Sequence, residues 1–253
     1  MLNKIHNMDC LEGMKRIPDK SIDMILCDLP YGETANAEDK PLPFEPLWEQ
    51  YKRIIKDNGA IVLFAQGLFY VDLVNSNRKM FRYDFSWDKV LTSGFLNANK
   101  MPLRQHEQIA VFYKKKPTYN PQYSIGKPNH SKGKPKINKN NNYGAYNFVD
   151  NHIKQGCRKH PTSILRFSKP HPSKAIHRTE KPILLLEFLI KTYTNEGETV
   201  LDNCIGSGGT AVACMNTNRN YIGFEISREI YETAIQRIAT QIKKNTEEIK
   251  NGI

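Results

Sequence analysis

Val200-Leu201-Asp202-Asn203-Cys204-Ile205-Gly206-Ser207-Gly208-Gly209-Thr210 reads as a strand that enters a glycine-rich turn and leaves as a helix. Gly206, Gly208 and Gly209 let the backbone turn tightly and come close to a ligand where a Cβ would stand in the way. On its own this pattern is shared with ordinary turns, and its neighbour gives it meaning. Tyr221–Glu225 reads as the next strand, and its terminal acid lies about twenty residues beyond the glycines. A carboxylate at the tip of a second strand is placed to bind the two hydroxyls of a ribose. Strand, helix and strand of these lengths imply right-handed crossovers and a parallel sheet.

Asp202 refines the ligand. A carboxylate just ahead of the glycines repels a pyrophosphate and welcomes an ammonium group. No GxxxxGK[ST] run occurs, so a nucleoside triphosphate is disfavoured. An adenosine carrying a cationic amino-acid tail and no phosphate fits, and S-adenosyl-L-methionine has those parts.

The same alternation extends outward through the chain. Helical spacing is predicted over 9–17, 46–56, 67–77, 180–194 and 227–243. Strands are predicted at 22–27, 60–65, 83–87, 108–113 and 198–203. Ala60-Ile61-Val62-Leu63-Phe64-Ala65 is too uniformly apolar for a surface strand and reads as a central one. Between 114 and 177 the periodicity gives way to Lys, Asn, Pro, Gly, Ser and Tyr. A stretch so long inside a compact domain reads as an inserted recognition region. The expected organisation is a core of 1–113 with 178–253, interrupted by 114–177.

Charge is concentrated in the same place. The 253 residues carry a net charge of +11, yet residues 108–179 hold fifteen Lys or Arg and a single acid, Asp150. That segment accounts for +14 and leaves −3 for the rest, the footprint of a polyanion-binding surface. A hydrophobic content of 39% and a charged content of 25% are those of a globular protein in water. No apolar run approaches the ~20 residues of a membrane span, and the start MLNKIHNMDC has no leader character. Five cysteines without a CxxC pair fit reduced thiols, so a cytoplasmic location is expected. Cys157 with His160, His171 and His177 matches no regular zinc spacing, and no metal is expected.

Cys27-Asp28-Leu29-Pro30-Tyr31-Gly32 ends the strand at 22–27 with an acid, a rigid proline and an aromatic ring. Here the chain resembles the DNA amino-methyltransferases that act on adenine N6 or cytosine N4, in the permuted order called the β class. Asp28-Leu29-Pro30-Tyr31 is similar to that family's Asp/Asn/Ser-Pro-Pro-Tyr tetrad, and Leu201–Gly208 to its Leu-Asp-Pro-Phe-x-Gly-Ser-Gly cofactor loop. His177-Arg178-Thr179-Glu180-Lys181-Pro182 resembles its His-Pro-Thr-x-Lys-Pro element, and Gly223–Ile226 its ribose-binding strand end. Asp9-Cys10 resembles the segment that touches the cofactor adenine. Trp87-Asp88-Lys89, and His106-Glu107 with Lys114, also sit where members carry similar residues. The chain departs from the pattern at Leu29, at Asn203-Cys204 and at Arg178.

The resemblance implies a Rossmann-like, mostly parallel α/β sheet flanked by helices, with S-adenosyl-L-methionine as cofactor and DNA as substrate. It implies Asp28, Leu29, Pro30 and Tyr31 as catalytic residues. The cofactor residues it implies are Asp9, Cys10, Thr179, Lys181, Asp202, Asn203, Cys204, Gly206, Gly208 and Glu225. The Asp28 carboxylate and the Leu29 carbonyl would hold the two N–H bonds of an exocyclic amine, while Tyr31 stacks on a base rotated out of the duplex. Lys114, Lys115, Lys116, Lys132, Lys134, Lys136 and Lys139 would neutralise phosphates. Asp rather than Ser at position 28 favours adenine N6 over cytosine N4. Other readings are a catalytically silent DNA-binding relative, or methylation of RNA or of a protein amide. β-class relatives often pair, so a homodimer is possible, and a cleavage partner in restriction-modification would be a separate polypeptide.

Overall fold

The computed structural model describes residues 1–32, 39–127, 157–169 and 180–250. It contains two compact units, Met1–Asn120 with Ser163–Ile253 and, separately, Pro121–Thr162.

In chain order the first unit begins with β1 (Lys4–Asn7), α1 (Cys10–Met14), β2 (Ile22–Asp28), α2 (Phe44–Ile54), β3 (Ile55–Ala65) and α3 (Gly67–Ser76). It continues with β4 (Phe81–Ser93) and β5 (Arg104–Phe112). After the smaller unit, which holds β6 (Ser124–Ile125) and β7 (Arg158–Lys159), come β8 (Ile164–Arg166) and α4 (Ile183–Tyr193). The chain closes with β9 (Thr199–Asp202), α5 (Gly209–Asn216), β10 (Asn220–Glu225) and α6 (Arg228–Lys250).

Eight strands form one sheet in the order β1-β10-β9-β2-β3-β5-β4-β8. β5 runs antiparallel to both its neighbours, and every other pairing is parallel. The mostly parallel α/β fold expected from the glycine turn is therefore present.

The central strands are apolar on both faces because both faces are covered. Along β3, Ala60, Val62 and Phe64 enter one core while Ile61, Leu63 and Ala65 enter the other. Leu185, Leu189, Ala213 and Ala234 of α4, α5 and α6 complete the first core. Met14, Tyr51 and Leu73 of α1, α2 and α3 complete the second. Alternate residues of one strand thus serve two helical layers, which explains a run without polar interruptions.

The insert is narrower than 114–177. Ser86, Trp87 and Asp88 of β4 pair with Ile164, Leu165 and Arg166, so 164–166 belongs to the main sheet. Residues Lys114–Asn120 also stay with the larger unit, where the Asn120 side chain donates to the carbonyls of Lys191 and Thr194. In the smaller unit β6 and β7 pair antiparallel, and the Tyr123 ring lies 4.8 Å from the Arg158 guanidinium and 4.9 Å from the His160 ring. No helix among the described residues is long and apolar enough to cross a membrane.

Candidate active site

β9 and β2 are adjacent, pairing Val200 with Met24 and Leu201 with Ile25. The helix after β9 packs on one face of the sheet and the helix after β2 on the other. Loops that part in this way leave a crevice at the C-terminal ends of the two strands, where ligands of open α/β sheets bind. A cavity of about 140 Å³ occupies this position, and its wall includes Asp28, Lys181, Asp202, Cys204, Gly206 and Glu180. Two ends of the chain that are distant in sequence meet in one site.

The Asp28 carboxylate is held on both oxygens. Oδ1 accepts from the Tyr31 hydroxyl at 2.7 Å and Oδ2 from Lys181 Nζ at 2.5 Å. Lys181 also lies 3.5 Å from Glu107 Oε2, and Lys89 Nζ donates to Glu107 Oε1 at 3.2 Å. Asp28, Lys181, Glu107 and Lys89 thus form a chain of alternating charge that runs from β2 to β4. The three inner side chains are 11%, 10% and 3% exposed, so screening by water is weak. Burial alone would push the Glu107 carboxyl up, but the Lys181 and Lys89 ammonium groups outweigh it and hold it low. Burial disfavours charge on Lys181, yet Asp28 and Glu107 keep its pKa above the ordinary lysine value.

Leu29 is anchored in the core at 3% exposure, and Pro30 carries the chain on to Tyr31. The Tyr31 ring packs on Phe69 at 4.9 Å between centroids. Burial first, and then the Asp28 charge, push its phenol well above the ordinary value.

On the opposite wall Asp202 ends β9. Its Oδ1 accepts from the Cys204 backbone at 3.1 Å and its Oδ2 from the Thr210 hydroxyl at 2.5 Å. Burial pushes its pKa up to about 7 despite these donors. Gly206 and Gly208 adopt φ of +54° and +82°, and a Cβ on Gly208 would stand 3.3 Å from that of Ala234. Both positions therefore call for glycine. Glu225 accepts from the Gly206 backbone at 3.1 Å and from Ser227 at 2.8 Å, fixing the turn to the end of β10.

The remaining predicted residues have identifiable places. Asp9 caps α1, accepting from the Glu12 backbone at 3.0 Å, and Cys10 is buried beside it. The Asn203 side chain turns inward to the Tyr51 hydroxyl at 2.5 Å and to the sulfurs of Cys10 and Cys204. Lys181 contacts Asp28 and lines the same cavity as the glycine turn. Lys114 and Lys115 pair with Asp57, near the start of β3. That is the sheet edge opposite Asp28, so these two lysines lie away from the cavity. Lys116 follows them on the same exposed run. Thr179, Lys132, Lys134, Lys136 and Lys139 lie outside the described residues.

Arg237 was not anticipated. It pairs with Glu180 and donates to the Ser207 carbonyl at 3.3 Å and hydroxyl at 3.2 Å, tying α6 to both cavity walls. Its signal was present: an arginine beside Ile238 on the apolar face of an amphipathic helix requires a buried partner.

Comparison with known proteins agrees with this geometry. A family model described as DNA methylase, for the N6/N4 methyltransferases, matches residues 22–236. The type II methyltransferase M.HpaI of Haemophilus parainfluenzae is 28% identical over 252 residues, covering 92% of this chain and 73% of that protein. M.HindIII of Haemophilus influenzae is 25% identical, with 97% of each chain covered. Among solved structures, M1.HpyAVI bound to SAM superposes with a TM-score of 0.61 at 23% identity, covering 92% of this chain and 98% of that one. The cytosine-N4-specific PvuII DNA methyltransferase superposes at 0.65 and 16% identity, covering 99% and 93%; both likenesses speak to the fold. The chain belongs to the DNA methylase family whose members modify adenine N6 or cytosine N4.

Proposed function

We propose that this protein methylates the N6 amino group of adenine in DNA, using S-adenosyl-L-methionine and a target base turned out of the duplex. The observation that carries the reading is the single cavity shared by Asp28 and the glycine turn. The residues suit the cofactor. Asp202 is a buried carboxylate short of positive charge, and an ammonium group beside it would draw its pKa down from about 7. Glu225 stands at the strand tip for a ribose, and Gly206 leaves room for its approach.

The bound cofactor supplies an electrophilic methyl group on a sulfonium; the rest is done by the chain. An exocyclic amine is a poor nucleophile because its lone pair is delocalised into the ring. Asp28, exchanging the Tyr31 hydroxyl for one N–H of the base, and the Leu29 carbonyl, accepting the other, draw that nitrogen toward tetrahedral geometry. The Asp28 carboxylate would oppose the positive charge that grows on that nitrogen as it takes the methyl group. The surplus proton then leaves to water. Lys181 holds the carboxylate in place throughout. No cysteine nucleophile is required. The smaller unit, with Tyr123 beneath Arg158, is assigned to target recognition.

The test is incubation of the protein with duplex DNA and methyl-labelled cofactor, followed by nucleoside digestion. N6-methyladenine is expected. Label only in N4-methylcytosine would reassign the base, and absence of label in DNA would overturn the reading.

A further inference from the structure

The β4–β5 connection carries an apolar surface that the reaction chemistry leaves unused. Leu91, Phe95, Leu96 and Met101 are 45%, 81%, 92% and 60% exposed. In fact every residue from Val90 to His106 is exposed. Solvated loops seldom carry so many large apolar side chains without a partner.

Three observations identify the partner. The first is position. β4 runs parallel to β2 and β9, so its C-terminal end and the start of β5 lie on the same sheet edge as Asp28. Strands about 5 Å apart put this loop some two to three strand spacings from the catalytic strand. The second is charge: Val90–Arg104 contains Lys100 and Arg104 and no acid. That suits a polyanion, and a second copy pressed face to face would bring like charges together. The third is anchorage. Lys89 at the loop's base bonds Ser93 at 3.1 Å and Glu107 at 3.2 Å, and Ser93 donates to the Arg104 carbonyl at 3.2 Å. Val90 takes a φ of +65°, rare for a β-branched residue, with its N–H held by Asp88 at 2.8 Å. The loop base therefore joins the charge chain that ends on Asp28.

We propose that Phe95 and Leu96 form an apolar wedge that enters the base stack of duplex DNA and occupies the gap left by the rotated target nucleotide. Apolar side chains inserted between base steps hold DNA in deformed states, while Lys100 and Arg104 meet the flanking phosphates. The inference rests on the base-rotation reading above.

The test uses the full chain and its doubly substituted form Phe95→Ser, Leu96→Ser, changes confined to solvent-exposed positions. Substrates are a duplex bearing the protein's own methylation site, found by sequencing DNA from an expressing host, and the corresponding single strand. Duplex methylation should fall about tenfold or more, because the base stack is no longer held open, while single-strand methylation changes less than about twofold. The fluorescence rise of 2-aminopurine at the target should be lost on the duplex. Unchanged duplex rates and fluorescence would overturn the wedge. So would an equal loss on both substrates, including one accompanied by conversion of a dimer to monomers in sedimentation, which would mark this face as a contact between copies. If the unsubstituted chain methylates neither substrate, the functional reading fails first and the wedge with it.

Discussion

Lys181 Nζ lies 2.5 Å from Asp28 Oδ2, although 153 positions separate the two residues. The contact joins the residue after the Glu180 wall to the tip of β2, and Glu107 extends it toward β4. In low dielectric the charges of this chain support one another, and removing Lys181 takes one cationic partner from each of Asp28 and Glu107, leaving Glu107 with Lys89.

Lys181→Met is therefore expected to destabilise the protein by roughly 3 kcal/mol, near the low end for a broken buried pair because Asp28 remains 29% exposed. Its pH dependence carries the sign. In the intact protein Glu107 is held below its unfolded value, so its contribution is present above the ordinary carboxylate range and lost as pH falls through the lowered folded value. Without Lys181 the folded value rises toward the unfolded one, so less of that contribution exists to be lost and the deficit of the variant should narrow as pH falls. Thermal unfolding of both proteins from pH 3 to 7, a range of roughly the carboxylate titrations and above, would show the deficit of the variant greatest at the upper end and narrowing toward the lower.

Asp202 gives the opposite sign. Its folded pKa is raised to about 7, so the free protein binds a proton there that the unfolded chain releases near the ordinary value. Between those two values stability should decline as pH rises. A cationic cofactor tail favours the carboxylate, so binding should release a proton and tighten with pH until about 7, then level off. Calorimetry in buffers of different ionisation enthalpy reads the proton directly. Asp202→Asn should bind weakly and lose the pH dependence.

The Tyr31 ring and hydroxyl are separable. Tyr31→Phe removes only the hydrogen bond to Asp28 and should change turnover modestly. Tyr31→Ala removes the stacking surface, worth about 1–3 kcal/mol per base, or roughly five- to 150-fold. Saturation kinetics with DNA should place that loss in duplex affinity and base rotation, with cofactor binding unaffected.

Much of this fold was legible because its central strands are long, apolar on two faces and followed by glycine turns. β1 escaped notice since Ile5 is its one buried residue, too short a pattern to carry a period. β8 escaped for the same reason, with Leu165 buried between two exposed neighbours. Both are strands that a sheet recruits at its edges, specified by partners rather than by their own sequence. Within the site, residue types announced Asp28, Asp202 and the glycine turn. They did not announce that Lys181 would turn to Asp28, or that Asp9 would serve as a helix cap. Those outcomes depend on which polar groups meet after folding. Lys114 and Lys115 show the same limit: composition did not announce that topology would pair both with Asp57 near the start of β3.

The most direct measurement is methyl transfer to DNA by Asp28→Ala, with cofactor binding followed in parallel. The cofactor should still bind, because the glycine turn, Asp202 and Glu225 are untouched. Transfer should fall by about 10²–10³-fold or more, the usual cost of removing one preorganised electrostatic group. Transfer at the unsubstituted rate would contradict the assignment of the methyl-accepting site to the end of β2.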